Sequence, residues 1–136
     1  MIEDLADDAY ESGMRVRREV LGDDHVDKAN AAITPLDADF QRYITESVWG
    51  SIWTRDDKLD RRTRSCITIA LLTALRLENE LAMHIRAGIR NGLTPEEITE
   101  VIMHTAPYTG IPSANAAIAV AKEVLNTTEG QPTGAD

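Results

Sequence analysis

Apolar residues recur every three or four positions along most of the chain, and no segment has the two-residue alternation of a half-buried strand. One stripe runs through Phe40, Ile44 and Val48, and another runs through Leu81 and Ile85. Side chains at this spacing lie on one face of an α-helix, so each stripe predicts an amphipathic helix. The sequence therefore predicts an all-α fold.

Glycine, proline and capping residues divide this pattern into about six predicted helices. The clearest start is at Thr94-Pro95, where Thr94 caps the helix and Glu97 completes a capping box. Residues 23–34 are predicted to be irregular, and the polar residues 127–136 are predicted to be disordered. The predicted helices span residues 3–21, 36–53, 60–75, 78–91, 95–108 and 111–126, of which 60–75, apolar on nearly all sides, is expected at the centre.

Length and charge limit what the chain can be. Its 136 residues favour one domain, predicted over residues 1–126, and the few aromatic residues and the alanine-rich last helix favour a homo-oligomer. The formal net charge of −9 argues against nucleic acid as a partner, and the apolar runs are too short to cross a membrane. The single cysteine, Cys66, and the lack of a signal-peptide pattern favour a reducing, cytoplasmic location.

Glu80 and His84 form the most specific pair of chemically active residues. They are four positions apart, so they are neighbours on one helix face beside the buried stripe. A carboxylate next to an imidazole orients the ring for proton transfer near neutral pH, although such pairs also occur on solvated faces. Zinc binding is the weaker hypothesis, because the metalloprotease motif needs a histidine where Glu80 stands and only the fold could bring His25 or His104 to the site.

Three aromatic residues and the arginines are the other candidates for a site. Trp49 and Trp53 lie one helical turn apart, which suits either core packing or a flat wall for a planar ligand. Tyr108 precedes a turn, where it either covers the core or donates a hydrogen bond in a cleft. Arginines cluster within 15–18 and 55–64, which suits either recognition of a small anion or two solvated helix faces.

Six short motifs, read together, resemble those of one known family. They are Arg17–Gly22, Trp49–Arg55, Leu59–Ser65, Glu80–His84, Arg90–Gly92 and Tyr108–Asn115. Over about residues 8–126 the chain resembles the gamma-carboxymuconolactone decarboxylases of the protocatechuate branch of the β-ketoadipate pathway. That family lies within the alkylhydroperoxidase D-like superfamily, whose peroxidase-like members carry two cysteines where this chain has Leu77 and Glu80, so thiol redox chemistry is not expected.

The resemblance implies an all-α, alkylhydroperoxidase D-like domain, assembled as a homo-oligomer, commonly a trimer of dimers, without a metal or an organic cofactor. It implies decarboxylation of 4-carboxymuconolactone, a small dicarboxylate lactone, to the 3-oxoadipate enol-lactone. His84, steered by Glu80, is the expected proton donor or oxyanion partner, and Tyr108 is a second donor. The expected substrate-binding residues are Arg15, Arg18, Trp49, Trp53, Arg55 and Arg64.

Two other functions stay open on the sequence alone. The chain could be a decarboxylase-like protein that acts on another lactone or on a β-keto acid. It could also be a non-catalytic helical subunit, in which His84 and the tryptophans only pack.

Overall fold

A computed structural model describes residues 2–128, with side chains over residues 8–126. Within this range the chain forms α-helices and one π-helix and no strand, which confirms the all-α prediction. No helix in this range is long and apolar enough to cross a bilayer. The helices are α1 Ile2–Leu21, α2 Asp23–Ala31, α3 Ala38–Ile44, the π-helix Thr45–Trp49, α4 Arg61–Ala74, α5 Glu78–Arg90, α6 Pro95–Thr109 and α7 Ile111–Thr128.

The prediction that residues 23–34 are irregular is wrong, because α2 occupies most of them and raises the count of α-helices from six to seven. Gly22 has φ 94°, a conformation that glycine adopts without strain, and it separates α1 from α2. Asp23 and Asp24 lie in the first turn of α2, where carboxylates interact favourably with the helix dipole. Val26 is the one fully buried side chain of α2, so the short helix shows almost no apolar period.

The predicted helix 36–53 is in fact α3, the π-helix and a series of turns. The apolar stripe that predicted it is largely exposed, since Phe40 and Val48 are exposed while Thr45 and Trp49 are buried. Formation of the π-helix shifts the register, because hydrogen bonds there join residues five apart rather than four. A hydrophobic pattern read at one constant period therefore assigns the wrong face to this segment.

The described chain divides into two compact units, the first ending at Arg61 and the second beginning at Arg62. In the first unit, α1 packs against α2 and against the π-helix, which also contacts α3. The contact between α1 and the π-helix is made by backbone. A Cβ atom on Gly13 would lie 2.1 Å from the carbonyl oxygen of Thr45, and one on Gly50 would lie 2.3 Å from the carbonyl oxygen of Ala9. Only glycine allows the two helices to approach this closely.

In the second unit, α5 and α6 both pack against α7. Three of the five alanines of α7, Ala114, Ala117 and Ala121, are buried in this core and serve packing within the unit, whereas Ala119 is exposed. The core consists of Ile69, Leu81, Ile85, Leu93, Ile98, Ile102, Ala114, Ala117, Ala121 and Val124. The capping box at the start of α6 is confirmed, because the Glu97 N–H donates to Thr94 Oγ1 at 3.1 Å and the Thr94 N–H donates to Glu97 Oε1 at 2.9 Å.

The expectation that the apolar helix 60–75 lies at the centre is wrong. The helix found there, α4, buries only the face that carries Ser65, Ile69 and Thr73. Another face leaves Ile67 and Leu71 exposed, and Leu75, directly after the helix, is exposed as well. Small polar side chains can be buried when they are hydrogen-bonded, as Ser65 is by the amide of Asn91 at 2.9 Å, so residue type did not reveal the buried face.

The C-terminal prediction can be followed only to the end of α7. This helix continues to Thr128, two residues past the predicted end. Assignments of a helix end commonly differ by one or two residues, so the predicted boundary agrees with the structure. The remainder of the predicted disordered tail lies outside the described residues. One domain over residues 1–126 stays a prediction.

Candidate functional site

His84 lies on the buried face of α5. His84, Ile85 and Gly88 lie three, four and seven positions after Leu81, which places all four on one helix face, and all four are buried. The imidazole is 8% exposed, which makes it the only buried histidine among residues 8–126. A group that moves protons in a site shielded from water interacts more strongly with developing charge than the same group in bulk solvent.

Glu80 lies one turn before His84 but is exposed. Its carboxylate makes no hydrogen bond or ion pair within residues 8–126, so the structure does not join it to the imidazole. The role of Glu80 as the group that orients His84 stays a prediction.

Tyr108 is 78% exposed near the end of α6. Its ring lies 5.5 Å from that of His104, one helical turn earlier, with an angle of 43° between the ring planes. The phenol therefore faces solvent beside His104, and the structure does not place it in a cleft of the second unit.

His104 also lines an open cavity of about 660 Å³ in the second unit. Most of the lining is apolar, with Cys66 and Met103 among it, and Glu100 adds a carboxylate. Glu100 and His104 repeat the spacing of Glu80 and His84, so the sequence carried a signal for this second pair that was not used. Nowhere in residues 8–126 do three or more His, Cys, Asp or Glu side chains cluster closely enough to hold a metal ion.

The two tryptophans form a buried pair in the first unit. Trp49 ends the π-helix and Trp53 follows in the next turn. Their ring centroids are 5.3 Å apart at an interplanar angle of 33°, and their side chains are almost fully buried. Neither indole lines the cavity beside His104, and neither lines the cavity beside Arg17 in the first unit. A role as the wall of a ligand site stays a prediction.

The four arginines selected from the sequence differ in their surroundings. Arg15 and Arg55 are exposed, and Arg64 is half-buried. Arg18 Nη1 lies 2.8 Å from Asp27 Oδ1 and 3.1 Å from Asp23 Oδ1. Hydrogen bonds to these two carboxylates raise the pKa of Arg18 above its ordinary value. Because its guanidinium is already paired within the first unit, Arg18 is a weaker candidate for binding substrate.

Arg17 is not among the predicted substrate-binding residues, yet it is the one buried arginine among residues 8–126. It is 8% exposed and lines a cavity of about 310 Å³ in the first unit. Its Nη1 donates to Thr45 Oγ1 at 3.4 Å, and the Thr45 hydroxyl donates in turn to the carbonyl oxygen of Gln41 at 2.9 Å. The sequence held a signal for it, because Gly13, Val16, Arg17 and Val20 form one buried stripe at helical spacing.

Residues 38–123 match the carboxymuconolactone decarboxylase family. The chain is 45% identical over 116 residues to the 4-carboxymuconolactone decarboxylase of Acinetobacter baylyi, an alignment that covers 85% of this chain and 86% of that protein. It is 38% identical over 117 residues to the nitrosuccinic acid decarboxylase of Metarhizium robertsii, covering 86% and 81%.

A shorter alignment points the same way. Over 41 residues, 30% of this chain and 85% of the other protein, it is 44% identical to a 4-carboxymuconolactone decarboxylase of Pseudomonas putida. The family match covers more than half of the chain, and the two longer alignments extend over both compact units. The chain therefore belongs to the carboxymuconolactone decarboxylase family.

Proposed function

We propose that this protein is a cytoplasmic carboxy-lyase that converts 4-carboxymuconolactone into the 3-oxoadipate enol-lactone without a cofactor. The observation that carries the proposal is the 45% identity to a 4-carboxymuconolactone decarboxylase over 85% of the chain. The family match over residues 38–123 includes the π-helix and α5, the elements that carry Trp49 and His84.

The chemistry needs little from the protein, because the substrate carries its own electron acceptor. When CO2 leaves the ring carbon, the bonding electron pair passes through the conjugated ring to the lactone carbonyl oxygen. A proton added to the carbon next to that carbonyl then gives the enol-lactone. The protein has to bind an anionic substrate, stabilise the developing oxyanion and deliver one proton.

His84 is the residue best placed for the last two tasks. Its burial beside the core of the second unit gives the water-poor environment in which a hydrogen bond to an oxyanion is strongest. Glu80 would have to turn toward the imidazole to orient it, and exposed Tyr108 would serve as a second donor only if another surface covered it. Among the predicted arginines, Arg15, Arg55 and Arg64 remain candidates for the carboxylates.

Nitrosuccinic acid is the second candidate substrate, because a nitrosuccinic acid decarboxylase is 38% identical to this chain. The two candidate substrates share a chemical core. In each, the carbon that loses CO2 also carries a carboxymethyl group and an electron-accepting group, the unsaturated lactone in one and the nitro group in the other. The shared part is a succinate skeleton, so one site could accept either molecule.

A direct comparison of substrates tests the proposal. Purified protein is mixed with freshly prepared 4-carboxymuconolactone, with nitrosuccinate or with a simple β-keto acid, and CO2 release is followed together with the ultraviolet absorbance. We expect the highest kcat/KM for 4-carboxymuconolactone. A preference for nitrosuccinate would assign the second candidate function. CO2 release no faster than in buffer for all three would contradict a decarboxylase function.

We also propose that the chain works as a homo-oligomer, with a trimer of dimers as the arrangement that the resemblance implies. The support is the exposed apolar stripe formed by Ile67 and Leu71 of α4 and by Leu75 directly after it, since exposed apolar surface of this kind favours association. Light scattering at micromolar concentration is expected to give a mass of several subunits. Leu71→Glu is expected to reduce that mass, whereas a monomeric parent protein with full activity would contradict the proposal.

A further inference from the structure

The cavity of the first unit has the dimensions of a site for a small ligand. Its volume is about 310 Å³, at the lower end of the range for small-molecule sites. Four elements contribute side chains to its wall: Arg17 from α1, Asn30 from α2, Arg42 from α3 and Thr45 from the π-helix. Because all four elements belong to one compact unit, the cavity is defined without reference to the second unit.

Arg17 brings an uncompensated positive charge to this wall. No carboxylate within residues 8–126 forms an ion pair with it, and its Nε has no hydrogen-bond acceptor. Burial lowers the pKa of Arg17, but a guanidinium stays protonated in proteins. Burial of a cation whose hydrogen-bond partner is the neutral hydroxyl of Thr45 is unfavourable, and an anion bound beside the guanidinium would offset that cost.

The other charged side chains that line the cavity do not neutralise the positive charge of Arg17. Arg42 Nε lies 3.2 Å from Glu46 Oε2, and the Arg42 guanidinium stacks 4.7 Å from the centre of the Tyr10 ring, so its charge is already matched. Asp39 also lines the cavity, but it is exposed, where solvent screens its charge. The buried wall therefore carries one unmatched positive charge, which suits one carboxylate.

Neutral polar groups complete the lining. Tyr10, Asn30 and Gln41 line the same cavity as Arg17. Such groups orient a bound carboxylate and the carbon atoms next to it through hydrogen bonds. A guanidinium fork binds both oxygens of a carboxylate at once, which a lysine cannot do.

We propose that the Arg17 cavity binds the carboxymethyl carboxylate of the substrate, the one that is retained when CO2 leaves. The proposal rests on the decarboxylase function above, since both candidate substrates share this group. The cavity offers one unpaired cation, Arg17, which can pair with one carboxylate of the substrate. The carboxylate that leaves as CO2 then forms no ion pair at this cavity. Decarboxylation is favoured when that carboxylate is not held by a strong ion pair, because its charge disappears in the reaction.

Succinate is the probe, because it is the skeleton that both candidate substrates share. Isothermal titration calorimetry at constant ionic strength measures its binding to the parent protein and to Arg17→Met, Arg17→Lys and Arg86→Met. Arg86 is an exposed arginine of α5, which makes it a matched control for loss of charge. Succinamide, which has the same skeleton without charge, is the control ligand.

We expect succinate, but not succinamide, to bind to the parent protein and to Arg86→Met. Binding should weaken by at least about thirtyfold in Arg17→Met, as expected when one member of a buried charge pair is removed. It should weaken by roughly tenfold in Arg17→Lys, which keeps the charge and loses the fork. Equal affinity in the parent and both Arg17 variants, or no succinate binding by the parent, would overturn the proposal.

Steady-state kinetics connects the cavity to the substrate. Succinate should inhibit turnover of 4-carboxymuconolactone competitively, and Arg17→Met should raise KM by at least about tenfold with a smaller change in kcat, the pattern of lost ground-state binding. Succinate that binds through Arg17 without competing would overturn the assignment to the substrate carboxylate. If the protein binds succinate but releases CO2 from neither candidate substrate, the proposed function is wrong. Arg17 would then still be assigned to a carboxylate-binding site.

Thermal unfolding separates ligand binding from a purely structural role. Replacing a buried, uncompensated charge by an apolar side chain of similar length tends to stabilise a protein. Arg17→Met should therefore melt at the same temperature as the parent or a few degrees higher, while losing succinate binding. A lower melting temperature with unchanged succinate affinity would show that Arg17 only supports the fold.

Discussion

Gly13→Ala is expected to destabilise the protein severely, by at least about 3 kcal/mol in the free energy of unfolding. An alanine Cβ at this position would lie 2.1 Å from the carbonyl oxygen of Thr45 and 2.9 Å from the backbone nitrogen of Gly50. Both neighbours are backbone atoms of the π-helix segment, so neither can rotate away as a side chain would. Relief of the clash requires α1 and the π-helix to separate, which would also open the Arg17 cavity.

The sign of this effect distinguishes packing from helix propensity. Alanine is favoured over glycine within a helix by about 1 kcal/mol, so propensity alone would make Gly13→Ala more stable than the parent. Gly88→Ala in α5 is the matched control, because the tightest contacts of its new Cβ would be with side-chain ends, Leu93 Cδ1 at 3.1 Å and Ile69 Cδ1 at 3.3 Å. Urea unfolding should give a much larger loss for Gly13→Ala than for Gly88→Ala. A Gly13→Ala protein as stable as the parent would contradict the close contact.

His84→Ala is expected to lower kcat by at least about a hundredfold, the lower range for loss of a general acid–base group. The variant removes the imidazole from the buried face of α5, where water cannot readily replace it as a proton donor. The measurement is the rate of CO2 release from 4-carboxymuconolactone at saturating concentration, with circular dichroism to verify that the helices are retained. His25→Ala, at an exposed position in α2, controls for loss of an imidazole elsewhere.

Glu80→Gln separates the roles of the two residues. Because the Glu80 carboxylate is exposed and does not contact His84 in the structure, the amide variant should keep more activity than His84→Ala. Turnover by His84→Ala within a few fold of the parent would remove His84 from the mechanism. A larger loss in Glu80→Gln than in His84→Ala would instead identify Glu80 as the proton donor.

The elements that the sequence predicted well have local signals of their own. The start of α6 is fixed by side chains of Thr94, Pro95 and Glu97, which act within a single turn. The boundaries of α5 and α7 follow from turn residues that lie next to them in sequence. His84 was likewise found because its neighbours Leu81 and Ile85 mark the buried face.

The features that were missed depend on contacts between distant segments. Gly13 and Gly50 are far apart in sequence, so the sequence does not show that α1 and the π-helix segment approach closely at these two glycines. Arg15, Arg17 and Arg18 carry the same charge, so the sequence alone does not distinguish Arg17 from the other two. Burial separates them, and burial is decided by the helices that pack against α1.

The exposed face of α4 shows the opposite error. Ile67 and Leu71 read as core residues because apolar side chains are usually buried, yet the unit buries Ser65 and Thr73 instead. A sequence pattern reports which surfaces avoid water, and it does not say whether the same chain or a second copy covers them. The same limit applies to Tyr108, whose expected place in a cleft depends on such a covering surface.

The proposed activity is tested most directly by nuclear magnetic resonance of the reaction in D2O, with CO2 measured in parallel. One CO2 should be released for each 4-carboxymuconolactone consumed, and the enol-lactone should carry one deuterium on the carbon next to the lactone carbonyl. His84→Ala should form this product at least about a hundredfold more slowly. Ring opening with both carboxylates retained, or CO2 release no faster than in protein-free buffer, would contradict cofactor-independent decarboxylation by this protein.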